Sequence, residues 1–359
     1  MVLLHTACGS ESPDLDQWYG EHVVYESNPS FQVCQGTHVW VDNFIPFVLG
    51  ELEVETAPIQ YYQWLEREML DCRDGIPGCS RGDVATSEQP FLLHELVHST
   101  LHSLEYPYQP FFGEGIAVAF DPLNGNGGGP TYLAAPPGHE LADPRPWMIL
   151  TTAELHQPGG YHVAGSFVSF LLARHGPAAF LAFTRRLDGA RDFDVIKQAF
   201  AATYKLDLDA EAEAFMVVDA PCPDDQFNPI LYDCTAPEVG WDGERWFLDE
   251  VMDCGSDAVV GGVRIDPAGS WPGLRAVTFK VPASGTYQLR MISDEGVFMQ
   301  LGRCLVCPWQ RNNFTYGVDA SGERTVELAA GLHYVRVVAH SNSKSSFTVE
   351  VNKTDLGEP

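Results

Sequence analysis

Residues 94–117, HELVHSTLHSLEYPYQPFFGEGIA, hold three histidines at four-residue spacing (His94, His98 and His102) and two glutamates of interest, Glu95 and Glu114. The apolar residues Phe91, Leu92, Leu96, Val97, Leu101 and Leu104 recur at helical rather than alternating intervals. The prolines of YPYQP (106–110) end that helix, and a second opens near GEGIAVAF. His94 and His98 then project from one face, one turn apart. Two imidazoles so placed can share one Zn2+, with Glu95 beside it as the base that takes a proton from bound water. A histidine pair satisfied by its own surroundings has the same spacing, so the pentapeptide alone leaves both readings open.

His102 continues the ladder, but geometry rejects it as a third ligand. At 1.5 Å per residue it sits about 12 Å along the axis from His94, whereas ligand atoms lie about 2 Å from the ion. It is expected beside the site or on the surface. Glu114 lies 16 residues past His98, beyond the proline-broken loop, where a second helix can fold back and present a carboxylate.

With both motifs present, the stretch resembles the gluzincin metallopeptidases, which combine HExxH with a downstream glutamate. PFFGEGIAVAF is similar to their W-L-x-E-G-x-A helix. The resemblance implies a Zn2+ cofactor, His94, His98 and Glu114 as ligands, and Glu95 as general base. It extends to YHVAGSFVSFLLARHGPAAFLAFTRRL (161–187), where the family carries a Tyr or His that hydrogen-bonds the oxyanion. Tyr161 and His162 both qualify. Two features depart from the pattern: Val118 stands where thermolysin-type enzymes carry an aspartate, and no GxMEN stretch precedes the first helix. Aminopeptidase activity is therefore not implied. The resemblance covers residues 30–218.

The expected organisation runs in four parts: a signal remnant or tether (1–17), the metallopeptidase domain (18–218), a linker (219–245) and a β-sandwich (246–355). Residues 72–87 read as a turn-rich loop leading into a short strand. The Gly- and Pro-rich stretch 121–160 reads as loop lining or covering something. Three or four helices follow, with Gly176-Pro177 separating the first two. Beyond the linker, RAVTFKVPASGTYQLRMI and RTVELAAGLHYVRVVA alternate apolar and polar residues around Gly-bearing turns, as in an antiparallel sandwich. FKVPASGTYQL and LAAGLHYVRVV also resemble the bacterial pre-peptidase C-terminal domain. Trp271, Trp309 and Tyr316 are candidates for a binding face there, although core packing is the commoner fate of aromatics. The fold class expected is α+β: a thermolysin-like zincin domain, with a small N-terminal sheet and a helical subdomain, followed by an all-β sandwich.

Composition narrows the function. Hydrophobic residues make up 45% and charged residues 19%, as in a globular protein. A net charge of −28 repels nucleic acid. No apolar run is long enough for a membrane span. LLHTAC (3–8) resembles the end of a bacterial lipoprotein signal, with Cys8 lipidated and His5 in place of the usual Leu; the other reading is a chance cysteine. Cys8 apart, eight cysteines remain, an even number suited to disulfides in an exported protein; Cys72–Cys79 and Cys304–Cys307 are candidate local pairs, and the connectivity does not follow from sequence. The leading reading is an extracellular or cell-envelope zinc peptidase acting on peptides or proteins, attached to a membrane only through a lipid on Cys8. The alternative is a catalytically silent zincin-fold binding protein whose β domain recognises protein or carbohydrate. Intact Glu95 favours the enzyme.

Overall fold

The computed structural model describes residues 15–72, 76–121, 142–157, 159–217, 232–242, 245–264, 273–304, 316–319, 322–339 and 344–354. The fold is α+β. The N-terminal half begins with β1 (Asp16–Tyr19), β2 (Val23–Ser27), β3 (Phe31–Val33), α1 (Gln35–Glu51) and β4 (Gln60–Trp64). A hairpin follows, β5 (Gly78–Arg81) and β6 (Val84–Ser87), turning at Gly82, whose φ of +61° suits glycine. The expected loop 72–87 thus contains two strands, and Cys72–Cys79 closes its first part as anticipated. Five of these strands form one sheet in the order β1-β2-β4-β6-β5. Its centre is parallel, β2 with β4 and β4 with β6, because α1 carries the chain across between β2 and β4.

Helices α2 (Leu93–Ser103) and α3 (Pro110–Phe120) come next, then α4 (Thr152–Leu155), α5 (Gly160–His175), α6 (Pro177–Leu187), α7 (Phe193–Tyr204) and α8 (Leu208–Met216). Apolar side chains surround α5 on nearly every side, which makes it the axle of this half. Gly115 and Gly165 let α3 approach it. A Cβ on Gly115 would lie 2.6 Å from the Ala164 carbonyl, and one on Gly165 would lie 2.4 Å from a Val118 methyl.

The C-terminal half holds β7 (Trp241–Asp242), β8 (Arg245–Met252), β9 (Gly262–Arg264), β10 (Gly273–Val281), β11 (Gly285–Ser293), β12 (Val297–Arg303), β13 (Tyr316–Asp319), β14 (Glu323–Leu328), β15 (Gly331–Ala339) and β16 (Ser345–Lys353). Two antiparallel sheets, β10-β15-β12-β13 and β14-β11-β16-β8-β7, enclose a core around Trp246, Phe279, Tyr287, Val335 and Val349. The Gly-bearing turns do not close hairpins. They carry the chain from one sheet to the other, β10 to β11 and β14 to β15, and Gly331 makes its turn at φ +120°.

The two halves are joined by more than a connecting peptide. Strand β3 pairs with β9, Cys34 is bonded to Cys254, and Thr37 Oγ1 donates to the Gly261 carbonyl at 2.7 Å. Within the expected linker, a 3-10 turn at Tyr232–Thr235 packs inward, and the Tyr232 hydroxyl donates to the Trp40 carbonyl at 2.6 Å. Cys234 in that turn is bonded to Cys304. This corrects the expected Cys304–Cys307 pair: the turn brings Cys234 to the end of β12. The three disulfides among the described residues fit an oxidising compartment, and no helix among those residues is long and apolar enough to cross a membrane. Cys8, Cys222, Cys307, Trp271, Trp309 and the loop 122–141 lie outside the described residues, as does the Tyr316 side chain.

Candidate metal centre

Helix α2 is buried along most of its length. Its N-cap residue, Leu92, has no side-chain acceptor to offer, and the free N–H groups of the first turn need one. Asp121, at the end of α3, supplies it: its Oδ2 accepts the His94 backbone N–H at 3.0 Å. Helix α3 starts with Pro110 at its first position and Gln109 as cap, the Gln109 Oε1 accepting from Phe112 N at 3.0 Å. Gly113 leaves room for the Tyr108 ring, which a Cβ there would meet at 2.6 Å.

These two helices bring His94, His98 and Glu114 together, all buried. His94 Nε2 lies 3.0 Å from Glu114 Oε2, His98 Nε2 lies 3.3 Å from the same oxygen, and the two Nε2 atoms are 3.1 Å apart. Tetrahedral ligands about 2.0–2.1 Å from an ion stand about 3.3 Å from one another. The three atoms match that spacing, so the donor set fits a metal ion. Among the described residues no other group of histidines, cysteines and carboxylates converges in this way. His102 is outside the cluster, with its ring 6.1 Å from that of Tyr108, and burial lowers its pKa, helped by the charge on His98.

The electrostatics favour a positive charge at the convergence. Burial works against protonated His94, yet the hydrogen bond and charge of Glu114, with Glu95 and Asp121 adding, bring it up to about 9. Burial also disfavours ionised Glu114, but the two histidines hold its carboxyl well below the usual range. Its second oxygen, Oε1, accepts from the Tyr108 hydroxyl, which also lies 3.1 Å from Thr152 Oγ1.

The cluster forms one wall of a cleft of about 750 Å³. Glu95 lines it beside the ligands, and burial raises its pKa; the neighbouring histidines oppose that shift, while Glu114 and Asp121 add to it. Strand β5 borders the cleft from Gly78 to Arg81. Gly78 must be small, because a Cβ would stand 2.7 Å from Leu92 and 3.1 Å from Glu95. Tyr161 also lines the cleft, with its ring 5.9 Å from that of His94 and its hydroxyl 3.2 Å from His156 Nε2. His162, one position on and turned about 100° around the helix, is not among the lining residues.

Sequence reasoning missed Tyr108, Asp121, His156 and Gly78. Val118 faces Gly165 of α5 and cannot reach His94; the acidic partner comes from Asp121 instead, to the backbone rather than the ring. The glycine before Glu114 was the one local sign of a ring packed over the start of α3.

No family model matches the chain, and no curated protein matches it in sequence. Among solved structures, the pre-peptidase C-terminal domain of a collagenase from Bacillus anthracis aligns at 15% identity over 33% of this chain and 94% of that one, with a TM-score of 0.23. A Legionella pneumophila aminopeptidase A aligns at 9% identity over 88% of this chain and 36% of that one, with a TM-score of 0.36. A periplasmic inhibitor of g-type lysozyme from Aeromonas hydrophila aligns at 10% identity over 33% and 97%, with a TM-score of 0.22. At these values the likenesses assign neither a family nor an activity.

Proposed function

We propose that this chain is a zinc-dependent peptidase of the gluzincin kind, with a thermolysin-like arrangement of its N-terminal half. The observation that carries the reading is the convergence of His94 Nε2, His98 Nε2 and Glu114 Oε2 at ligand spacing on the wall of a cleft that Glu95 also lines. Zn2+, when bound, supplies Lewis acidity and lowers the pKa of a bound water to about 7. Glu95, beside the ligand set, would accept the proton of the attacking water and return it to the leaving amine. The Tyr161 hydroxyl donates to the oxyanion as the carbonyl is attacked. The cleft takes an unfolded peptide or protein segment, and the three disulfides fit an exported protein, with Cys8 the candidate for lipid attachment.

The test is Glu95→Gln, which keeps the side chain's size but cannot accept the proton. It is expected to keep the fold and bound zinc and to lose at least about 10²-fold of peptidase activity. A zinc-loaded wild type that leaves a broad library of unfolded proteins and peptides uncut would favour the silent binding protein instead.

A further inference from the structure

Helix α4 lies along the cleft, which Thr152, Ala153 and His156 line. Its start is fixed by a capping box: Thr151 Oγ1 accepts the Glu154 N–H at 3.3 Å, and Glu154 Oε2 accepts the Thr151 N–H at 2.8 Å. Leu155 anchors it in the core, and Thr152 Oγ1 lies 3.1 Å from the Tyr108 hydroxyl. His156 caps its far end, and the chain turns into α5 through Gly159, at φ +92°, and Gly160. A Cβ on Gly160 would stand 2.2 Å from the Leu155 carbonyl, so only glycine lets α5 start this close to the end of α4. That approach sets two side chains next to each other on the cleft wall. The His156 and Tyr161 rings have centroids 5.0 Å apart, and His156 Nε2 lies 3.2 Å from the Tyr161 hydroxyl.

We propose that His156 is a positioning residue for Tyr161: its Nε2–H donates to the phenol oxygen, which leaves the phenol proton for the oxyanion. This rests on the peptidase reading given above. A hydroxyl carries one proton. Were that proton directed at a bare Nε2, Tyr161 would have nothing to offer the charge that develops on the substrate. With Nε2 as donor, the tyrosine oxygen accepts and its own proton turns towards the substrate. A phenol that accepts one hydrogen bond also donates the next more strongly. The contact holds the hydroxyl in place before reaction, and donors to an oxyanion act best when already aimed.

His156 is exposed, so its replacement leaves the core untouched. On one cleaved peptide, His156→Ala is expected to lower kcat about tenfold with KM little changed, a smaller loss than that of Tyr161→Phe. His156→Gln, whose amide can donate in the same direction, should recover most of that loss. In the Tyr161→Phe background His156→Ala should add little, since both changes act through one hydroxyl. Carbon NMR of protein labelled at tyrosine Cζ gives a readout free of turnover, with the Tyr161 signal identified by its loss in Tyr161→Phe. That signal should move in His156→Ala and return towards its wild-type position in His156→Gln, with or without zinc. An active wild type whose His156→Ala variant keeps or gains kcat would mean that the histidine accepts rather than donates. Equal losses in both backgrounds would mean that it acts apart from Tyr161. Either result overturns the proposal, and so does a Tyr161 signal that stays put. A zinc-loaded wild type that cuts no peptide while the signal still moves would overturn the peptidase reading, and with it the destination of the proton, while the contact itself stands.

Discussion

The Nε2 atoms of His94 and His98 face each other at 3.1 Å, and both lie within 3.3 Å of Glu114 Oε2. Each of the three atoms can offer a lone pair to the same point. Burial works against a proton on His94, yet the hydrogen bond and charge of Glu114, with Glu95 and Asp121, hold it above its ordinary range. A metal ion satisfies all three atoms at once.

Glu114→Ala should therefore abolish retained zinc, and His102→Ala should leave it near one equivalent. Metal content after desalting, by atomic absorption, separates the two. A site emptied by His102→Ala instead would overturn the ligand assignment.

If Tyr161 donates to the oxyanion as proposed, Tyr161→Phe should lower kcat about 10- to 100-fold with KM little changed, because that hydrogen bond would form only in the transition state. His162→Ala should change kcat less than threefold, as expected of a group that does not line the cleft. Steady-state kinetics on one cleaved peptide is enough, and the reverse ranking would transfer the oxyanion role to His162.

Tyr108→Phe removes the donor to Glu114 Oε1 and leaves the ring over Gly113 in place. Zinc affinity should fall about tenfold while the melting temperature of the metal-free protein moves little. An affinity equal to that of the wild type would mean that packing alone holds Glu114.

His333 gives the sandwich an acid-sensitive element. Burial pushes it down to about 4; the Gly331 carbonyl opposes this and the Arg303 charge assists. Unfolded, it titrates near 6.5. Above that pH the ring is neutral in both states and its contribution is intact. Between 6.5 and 4 the unfolded chain takes up the proton first, and stability falls by up to about 3 kcal/mol. His333→Gln should flatten that fall, read from urea midpoints of zinc-stripped proteins at pH 5 and pH 7.5. Parallel losses in the two proteins would place the acid sensitivity elsewhere.

The readable parts of the chain were those whose signal is local. The i, i+4 spacing of His94 and His98, the Gly176-Pro177 junction and the alternation in β10, β11 and β15 each report their own segment. Glu114 was reachable because a proline-broken loop leaves it few places to go. Asp121 acts on a residue 27 positions earlier and Arg336 on one 103 positions earlier, and neither sits in a pattern that names its partner. Cys304 illustrates the same limit. Cys307 is its near neighbour in sequence, whereas its bonded partner, Cys234, is 70 residues away. That the sandwich turns carry the chain from sheet to sheet was not legible, because alternation records which face a residue takes, not which strand lies beside it.

The pairing of β3 with β9 and the bond from Cys34 to Cys254 also have a consequence in time. A chain emerges from the ribosome in order, and Phe31–Val33 finds its partner strand only when Gly262–Arg264 has followed, with the cysteines 220 residues apart. Until then the first half has an unpaired strand and an unpaired thiol, exposed to wrong partners. Maturation must therefore wait for the last third of the molecule, and a truncated translation product would be left without a completed N-terminal half.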